Sequence, residues 1–236
     1  MGFELEWCAL ACFRLWKDGH PQLVMDPYRP TVLGVGEDEP WLEADQLLLS
    51  SLTDRAHSYV PLVRGDPPVT DALAVARGEA SLEINGEPVV AVEAAEAPEH
   101  PEGADPNAMY AFKVGDLWLL HFGDLGYGMS AEQLAPFEGK CDIMLAITGE
   151  RLTVKLPALD EMIDILKPTW IIPMHYNVPP CDFGMTKVET FIARRRRDPV
   201  MFVRGHTIEL PPPRLSDTRP TIVVMEPSGY EVTEPA

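Results

Sequence analysis

The sequence predicts an α+β chain folded as one domain over residues 1–236, its strand-rich halves interleaved with helices. Three observations carry this expectation. Phe3, Leu5 and Trp7 alternate with Glu4 and Glu6, the period of a half-buried strand. The short apolar runs Leu47–Leu49, Ile143–Ile147 and Thr169–Pro173 have the length of buried strands. Between the last two, Leu159, Met162, Ile163 and Leu166 recur at helical spacing, with Asp160, Glu161 and Asp164 opposite.

The elements follow in order. A β-meander opens the chain: the Phe3–Trp7 strand, an apolar run from Ala11 to Trp16, a turn at Lys17-Asp18-Gly19-His20-Pro21, and Gln22–Met25 leading into Asp26-Pro27. Residues 29–45, rich in Pro, Gly and acid, read as a loop. Its Gly34-Val35-Gly36 lacks the third Gly and following apolar helix of a dinucleotide site. After Leu47–Leu49 comes a polar loop, Leu52 to His57. Asn85-Gly86 turns a hairpin between Leu82–Ile84 and Val89–Val92, and an acidic loop is expected from Glu93 to Asp105. Gly115-Asp116 turns another hairpin between Met109–Val114 and Leu117–Leu120, which runs into His121-Phe122-Gly123-Asp124. Ser130 caps a short helix through Leu134, and Pro168 ends the helix that carries Leu159 to Leu166. The strand after it delivers Met174-His175-Tyr176. A helix over Lys187–Arg196 and strands at 200–210 and 221–225 complete the chain.

Composition narrows the function classes. With 46% hydrophobic and 24% charged residues, disorder is excluded as the main state. The 37 acidic and 19 basic residues leave a net charge of −18, a field that repels phosphate backbones and anionic lipid, so neither nucleic acid nor membrane is an expected partner. The Arg194–Arg197 run reads as a solvated helix end, with an anion-binding patch as the alternative. Cys8, Cys12, Cys141 and Cys181 show no CxxC spacing, and Cys8 and Cys12 suit packing as small apolar groups. No apolar run approaches the roughly 20 residues of a membrane span. The N-terminus resembles neither a signal peptide nor a lipid-attachment start, since Glu6 stands where the latter wants Ser or Thr. The expectation is a soluble cytoplasmic protein. Its acidic surface leaves a homo-oligomer with an apolar interface open.

Three strand ends carry groups able to ligate a metal: Asp54 and His57 after the first, Asp124 after the second, His175 after the third. A rigid sheet can bring such loops from distant parts of a chain to one point. Imidazole and carboxylate are donors that Zn(II), Fe(II) and Mn(II) accept. Taken singly, Asp and His at strand ends are ordinary turn residues. So are His20, His100, His121 and His206.

The motifs around these residues resemble the metallo-β-lactamase superfamily, in particular its ascorbate-6-phosphate lactonase-like branch. Trp7-Cys8-Ala9-Leu10-Ala11-Cys12-Phe13 is similar to that branch's Trp-Leu-Gly-His-Ala-x-Phe, and Met25-Asp26-Pro27-Tyr28 to its Ile-Asp-Pro-Phe. His121-Phe122-Gly123-Asp124 matches His-x-Gly-Asp. Lys167-Pro168 through Ile172-Pro173-Met174-His175-Tyr176 matches Lys-Pro…Ile-Pro-Met-His-Tyr. The resemblance spans roughly residues 3 to 225 and implies a four-layer αββα sandwich.

The metal motif departs from the family. Against His-x-His-x-Asp-His, this chain has Leu52, Asp54, Ala56 and His57, and Leu10 replaces the His of the opening motif. The family's next His falls near Glu96, with Glu93, Glu99 and His100 as alternatives. Asp124 aligns with the bridging Asp and His175 with the final His. The resemblance thus implies two unequal positions. One has only the carboxylates Asp54, Glu96 and Asp124, which suit a harder ion such as Mn or Mg, or none. The other keeps His57, Asp124 and His175, able to hold one Zn, Mn or Fe(II).

Two functions are expected from this. The first is a mononuclear or altered-metal hydrolase of a small ester, lactone or phosphoester. In it Asp54 or Glu96 orients or deprotonates water, and Tyr176 either donates to a developing oxyanion or packs beside His175. The second is a catalytically inactive relative, without metal, that serves as a ligand-binding or scaffold protein.

Overall fold

The computed structural model describes residues 2–34, 37–54, 56–100, 103–181 and 183–230. Val35, Gly36 and Arg55 of the loops read above lie outside the described residues.

The chain opens with β1 (Phe3–Ala9), β2 (Cys12–Lys17) and β3 (His20–Met25), the expected meander. A short helix, α1 (Pro30–Leu33), interrupts the segment expected to be loop. Pro30 is pre-set for a first helical turn, and Gly34 closes it in the left-handed conformation. β4 (Gln46–Leu49), β5 (Val69–Asp71) and α2 (Ala72–Ala76) follow. Asp71 caps α2 by accepting the Leu73 N–H at 2.9 Å. Next come β6 (Glu83–Ile84), β7 (Glu87–Pro88) and β8 (Val90–Ala95). β8 therefore takes Glu93 to Ala95 from the expected acidic loop. Those residues pair antiparallel with β9 (Pro106–Val114), and the ladder satisfies their backbone groups.

β10 (Leu117–His121), α3 (Ala131–Leu134), β11 (Ile143–Ile147), α4 (Leu156–Leu166) and β12 (Trp170–Met174) follow the expected order. Ser130 and Gln133 form a reciprocal capping box on α3. Lys167 ends α4 in the left-handed conformation, directly before Pro168. α5 (Val188–Arg194), β13 (Val200–Phe202), β14 (Thr207–Leu210) and β15 (Thr221–Val224) close the fold.

Among the described residues two large sheets form, in the orders β14-β1-β2-β3-β4-β5 and β13-β15-β12-β11-β10-β9-β8, beside the two-stranded β6-β7 ribbon. One continuous core joins their inner faces: Leu5, Trp7, Phe13, Leu15 and Met25 from the first, and Tyr110, Phe112, Leu119, Met144 and Ile172 from the second. α4 adds Leu159, Met162 and Ile163 to that core, the face its spacing predicts. β10, β11 and β12 pair parallel within one sheet, so the loops after them leave from one end of it, and the loop after β4 of the other sheet meets them there. These are the loops that carry His57, Asp124 and His175.

The Arg194–Arg197 run lies at the end of α5 among acidic partners. Arg194 pairs with Asp160 at 2.8 Å, and Arg195 with the nearly buried Asp198 at 2.6 Å. All four cysteines are free and buried. Among the described residues no helix is long and apolar enough to cross a membrane.

Candidate metal centre

The loop after β4 is shaped by one carboxylate. Asp54 Oδ1 accepts the backbone N–H groups of Ala56 (2.8 Å) and His57 (3.1 Å), a local turn that swings His57 inward. Leu52, where the family carries its first His, points outward at 54% exposure, and Ala56 offers no ligand.

Asp124 is positioned by a residue the sequence did not single out. Asn107, buried in β9, accepts the Asp124 N–H at 3.0 Å and donates to the Phe122 carbonyl at 3.2 Å. Its only signal was a polar side chain amid an apolar strand. Gly123, at φ +60°, packs so closely that a Cβ would collide with the Asn107 amide oxygen. Below it, Gly123 N–H donates to His121 Nδ1 at 2.8 Å, while His121 Nε2 lies 2.8 Å from the Ala11 carbonyl. Accepting at Nδ1 leaves the ring proton on Nε2, which donates to Ala11. Burial drives the pKa of His121 down to about 3, so the ring stays neutral. His121 is thus a fixed support beneath Asp124.

His175 directly follows β12 at φ +52°, a backbone region that a non-glycine residue enters at a cost. Its N–H bonds to the Leu10 carbonyl at 3.2 Å, and its own carbonyl lies where a Cβ on Gly149 would be.

These loops converge. His57 Nε2 lies 3.2 Å from His175 Nε2, and each nitrogen is 3.7 Å from an oxygen of Asp124. Ligand atoms of His57, Asp124 and His175 all fall within 4.8 Å of one another, as do those of Asp54, Glu96 and Asp124. Asp124 belongs to both groups.

Electrostatics sharpen the contrast. Burial lowers the pKa of His57, but Asp54, Asp124, Asp26 and Glu96 outweigh it and the net shift is upward. Burial pushes His175 down to about 4, with Asp124 opposing and His57 reinforcing the shift. On the other side, burial and then the charges of Asp54 and Asp124 push Glu96 up to about 8. Asp54 is raised too, first by burial. Crowded carboxylates and paired imidazoles are the environment a cation relieves. Asp124 Oδ1 is buried without a hydrogen-bond partner. The donor set therefore fits a divalent ion at the His57–Asp124–His175 position and a hard ion at the carboxylate position.

Of the alternatives to Glu96, Glu93 is exposed and pairs with Arg77 at 2.5 Å, and Glu99 is exposed. His100 lies 3.8 Å from Glu96 and lines the cavity beside the site. Tyr176 does not join the cluster. Its hydroxyl donates to the Met225 carbonyl at 3.1 Å, and its ring packs 5.0 Å from Trp7, so its proton is already committed.

The domain model described as "Beta-lactamase superfamily domain" matches residues 4–175. A UPF0173 protein of Pyrococcus abyssi is 28% identical over 212 residues, covering 82% of this chain and 92% of the relative. A UPF0173 metal-dependent hydrolase of Pyrococcus horikoshii is 31% identical over 71 residues, 30% of this chain and 32% of the relative. Among solved structures, a metallo-beta-lactamase superfamily protein of Thermotoga maritima superposes with TM-score 0.67 at 25% identity, covering 94% of this chain and 98% of that one. The Ignicoccus hospitalis metallo hydrolase Igni18 superposes with TM-score 0.59 at 15% identity, covering 90% and 100%. The sandwich expected from the motifs is therefore the fold observed. These names do not extend to the lactonase branch.

Proposed function

Because the chain belongs to the beta-lactamase superfamily, its domain model spanning residues 4–175, we propose that it is a metal-dependent hydrolase of a small ester, lactone or phosphoester. One observation carries the reading: imidazole nitrogens of His57 and His175 and a carboxylate oxygen of Asp124 converge within 4.8 Å from three separate loops. The names of the metal-dependent relatives support it.

His57, Asp124 and His175 would hold the ion. A bound divalent ion lowers the pKa of a coordinated water toward neutrality and polarises a carbonyl or phosphoryl oxygen. Asp54, from the same loop as His57, and Glu96, from the loop after β8, converge on Asp124, where either can orient the water or take its proton. Their carboxylates, with Asp124, also suit a hard ion at a second position. His121 and Asn107 keep Asp124 in place, and Tyr176 serves packing.

The test is hydrolysis of 4-nitrophenyl acetate, γ-butyrolactone and bis(4-nitrophenyl) phosphate by untagged protein treated with chelator and then given Zn(II), Mn(II) or Fe(II). Metal-restored turnover of at least one, abolished by His175→Ala, supports the reading. Metal uptake without turnover of any ester, lactone or phosphoester overturns it and leaves a ligand-binding scaffold.

A further inference from the structure

Beside the cluster lies a cavity of about 230 Å³ whose floor is His57, Asp124 and His175. Its remaining wall is divided. Leu10, Ala56, Leu152, Phe183 and Met185 make it apolar, and it also carries the Arg151 cation, the Thr153 hydroxyl and the His100 imidazole, which lies 3.8 Å from Glu96. Leu10 stands where the opening motif of the resembled branch has His, so this wall is apolar through this chain's own sequence.

Among the described residues neither the Arg151 nor the Thr153 side chain has a hydrogen-bond or ion-pair partner. Arg151 is exposed and makes no side-chain hydrogen bond or ion pair among the described residues, in a chain with 37 acidic residues to 19 basic ones. Thr153 is 1% exposed, and its Oγ1 is buried without a hydrogen-bond partner. A buried, unanswered hydroxyl in a cavity wall marks a place where a ligand atom can bond. The segment holding them is strained and pinned. Glu150 and Leu152 sit at φ +58° and +53°, Arg151 N–H bonds to the Gly149 carbonyl at 2.8 Å, and Val154 N–H to the Leu125 carbonyl at 2.8 Å. Gly184 passes so close that a Cβ there would lie 3.2 Å from the Arg151 guanidinium. The lack of a side chain leaves that group room to reach over the cavity.

We propose that Arg151 and Thr153 form an anion-recognition pair, and that the substrate is a small molecule with an apolar body and one oxyacid group, carboxylate or phosphate, apart from the bond to be cleaved. This rests on the hydrolase reading for the word substrate. The binding itself does not. The acidic cluster around Asp124 would otherwise repel such a molecule, and Arg151 offsets that repulsion at the cavity's edge.

The experiment is calorimetric titration of untagged, Zn-treated protein with phenylacetate, phenyl phosphate and the neutral phenylacetamide. Contact of an acid with a bound ion is common to wild type and variants, so it cancels when the proteins are compared. Arg151→Gln is expected to weaken both acids about tenfold, the scale of one charge-assisted hydrogen bond, with phenylacetamide changed less than about twofold. Thr153→Val should weaken the acids several-fold and Arg151→Lys should retain most of the affinity. Because Arg151 is exposed, its variants should melt with wild type. Loss confined to phenyl phosphate, or to phenylacetate, identifies which oxyacid the pair reads and supports the proposal. Unchanged acid binding in Arg151→Gln, equal loss for acids and amide, or no acid binding to wild type overturns it. Turnover is not read here, so an inactive protein that discriminates acid from amide loses the hydrolase reading and keeps this one.

Discussion

His57 and His175 face each other through their Nε2 atoms at 3.2 Å, and both Nδ1 atoms are buried without a hydrogen-bond partner. Two imidazoles so arranged share one proton or one cation. The carboxylates around His57 raise its proton affinity while burial depresses that of His175, so the proton resides on His57 in the ion-free site. Zn(II) must displace it. Titration of Zn(II) in buffers of different ionisation enthalpy should show release of about one proton, with affinity falling about tenfold per pH unit below the raised pKa of His57. Proton-neutral binding would contradict this arrangement.

The two metal positions should separate under mutation. Glu96→Gln or Asp54→Asn removes a donor from the carboxylate position alone. Either is expected to leave Zn(II) bound and to reduce Mn(II) binding, as read by metal analysis after equilibrium dialysis. Asp124→Asn should weaken both ions at least tenfold, because its carboxylate belongs to both groups.

Gly149 holds His175 by having no side chain. An added Cβ would overlap the His175 carbonyl, which is backbone and cannot swing aside. Gly149→Ala is expected to cost roughly 1–3 kcal/mol in denaturant unfolding and to lower metal affinity with it. A fully stable variant with intact metal binding would show that the loop after β12 is free to move.

Tyr176→Phe separates packing from catalysis. Removing the hydroxyl leaves the Met225 carbonyl without that donor, at a cost of about 1–2 kcal/mol, while turnover should stay within about twofold of wild type. A large drop in kcat at unchanged stability would return Tyr176 to the oxyanion role considered from the sequence.

Acid sensitivity should trace to His121. Its folded pKa is about 3, against an ordinary value of 6.5, so below pH 6.5 the unfolded chain takes up a proton that the native ring refuses. Stability from this source is present above pH 6.5 and is lost as pH falls toward 3. Asp26, pushed up to about 7 chiefly by burial and 3.5 Å from His121, has the opposite sign. Its contribution is full below 3.8 and lost as pH rises through 7. In metal-stripped protein, His121→Asn should flatten the acid limb of the stability curve and Asp26→Asn the neutral limb. Unchanged slopes would contradict the buried neutral pair.

Period and turn chemistry made most strands legible, because Asn85-Gly86, Gly115-Asp116 and Pro168 punctuate runs whose apolar faces must be buried. β5 and α2 escaped notice because Val69–Ala76 is too short for a period to emerge. β8 reached into the expected loop because its ladder with β9, rather than the acidity of Glu93, decides its length. The convergence of His57, Asp124 and His175 was legible only through motif resemblance, since spacing along the chain says nothing of distance in space. Asn107, the His121 tautomer, Arg151 and Thr153 were not legible. Their roles come from a hydrogen bond, or the want of one, set by tertiary packing.

Whether His57, Asp124 and His175 hold a metal is read most directly from the metal content of wild-type protein purified without a His-tag and of His57→Ala and His175→Ala. A metal centre at these three residues requires close to one equivalent of transition metal in the wild type and its loss in both variants. A metal-free wild type whose melting temperature is indifferent to chelator and to added Zn(II), Mn(II) and Fe(II) would contradict it.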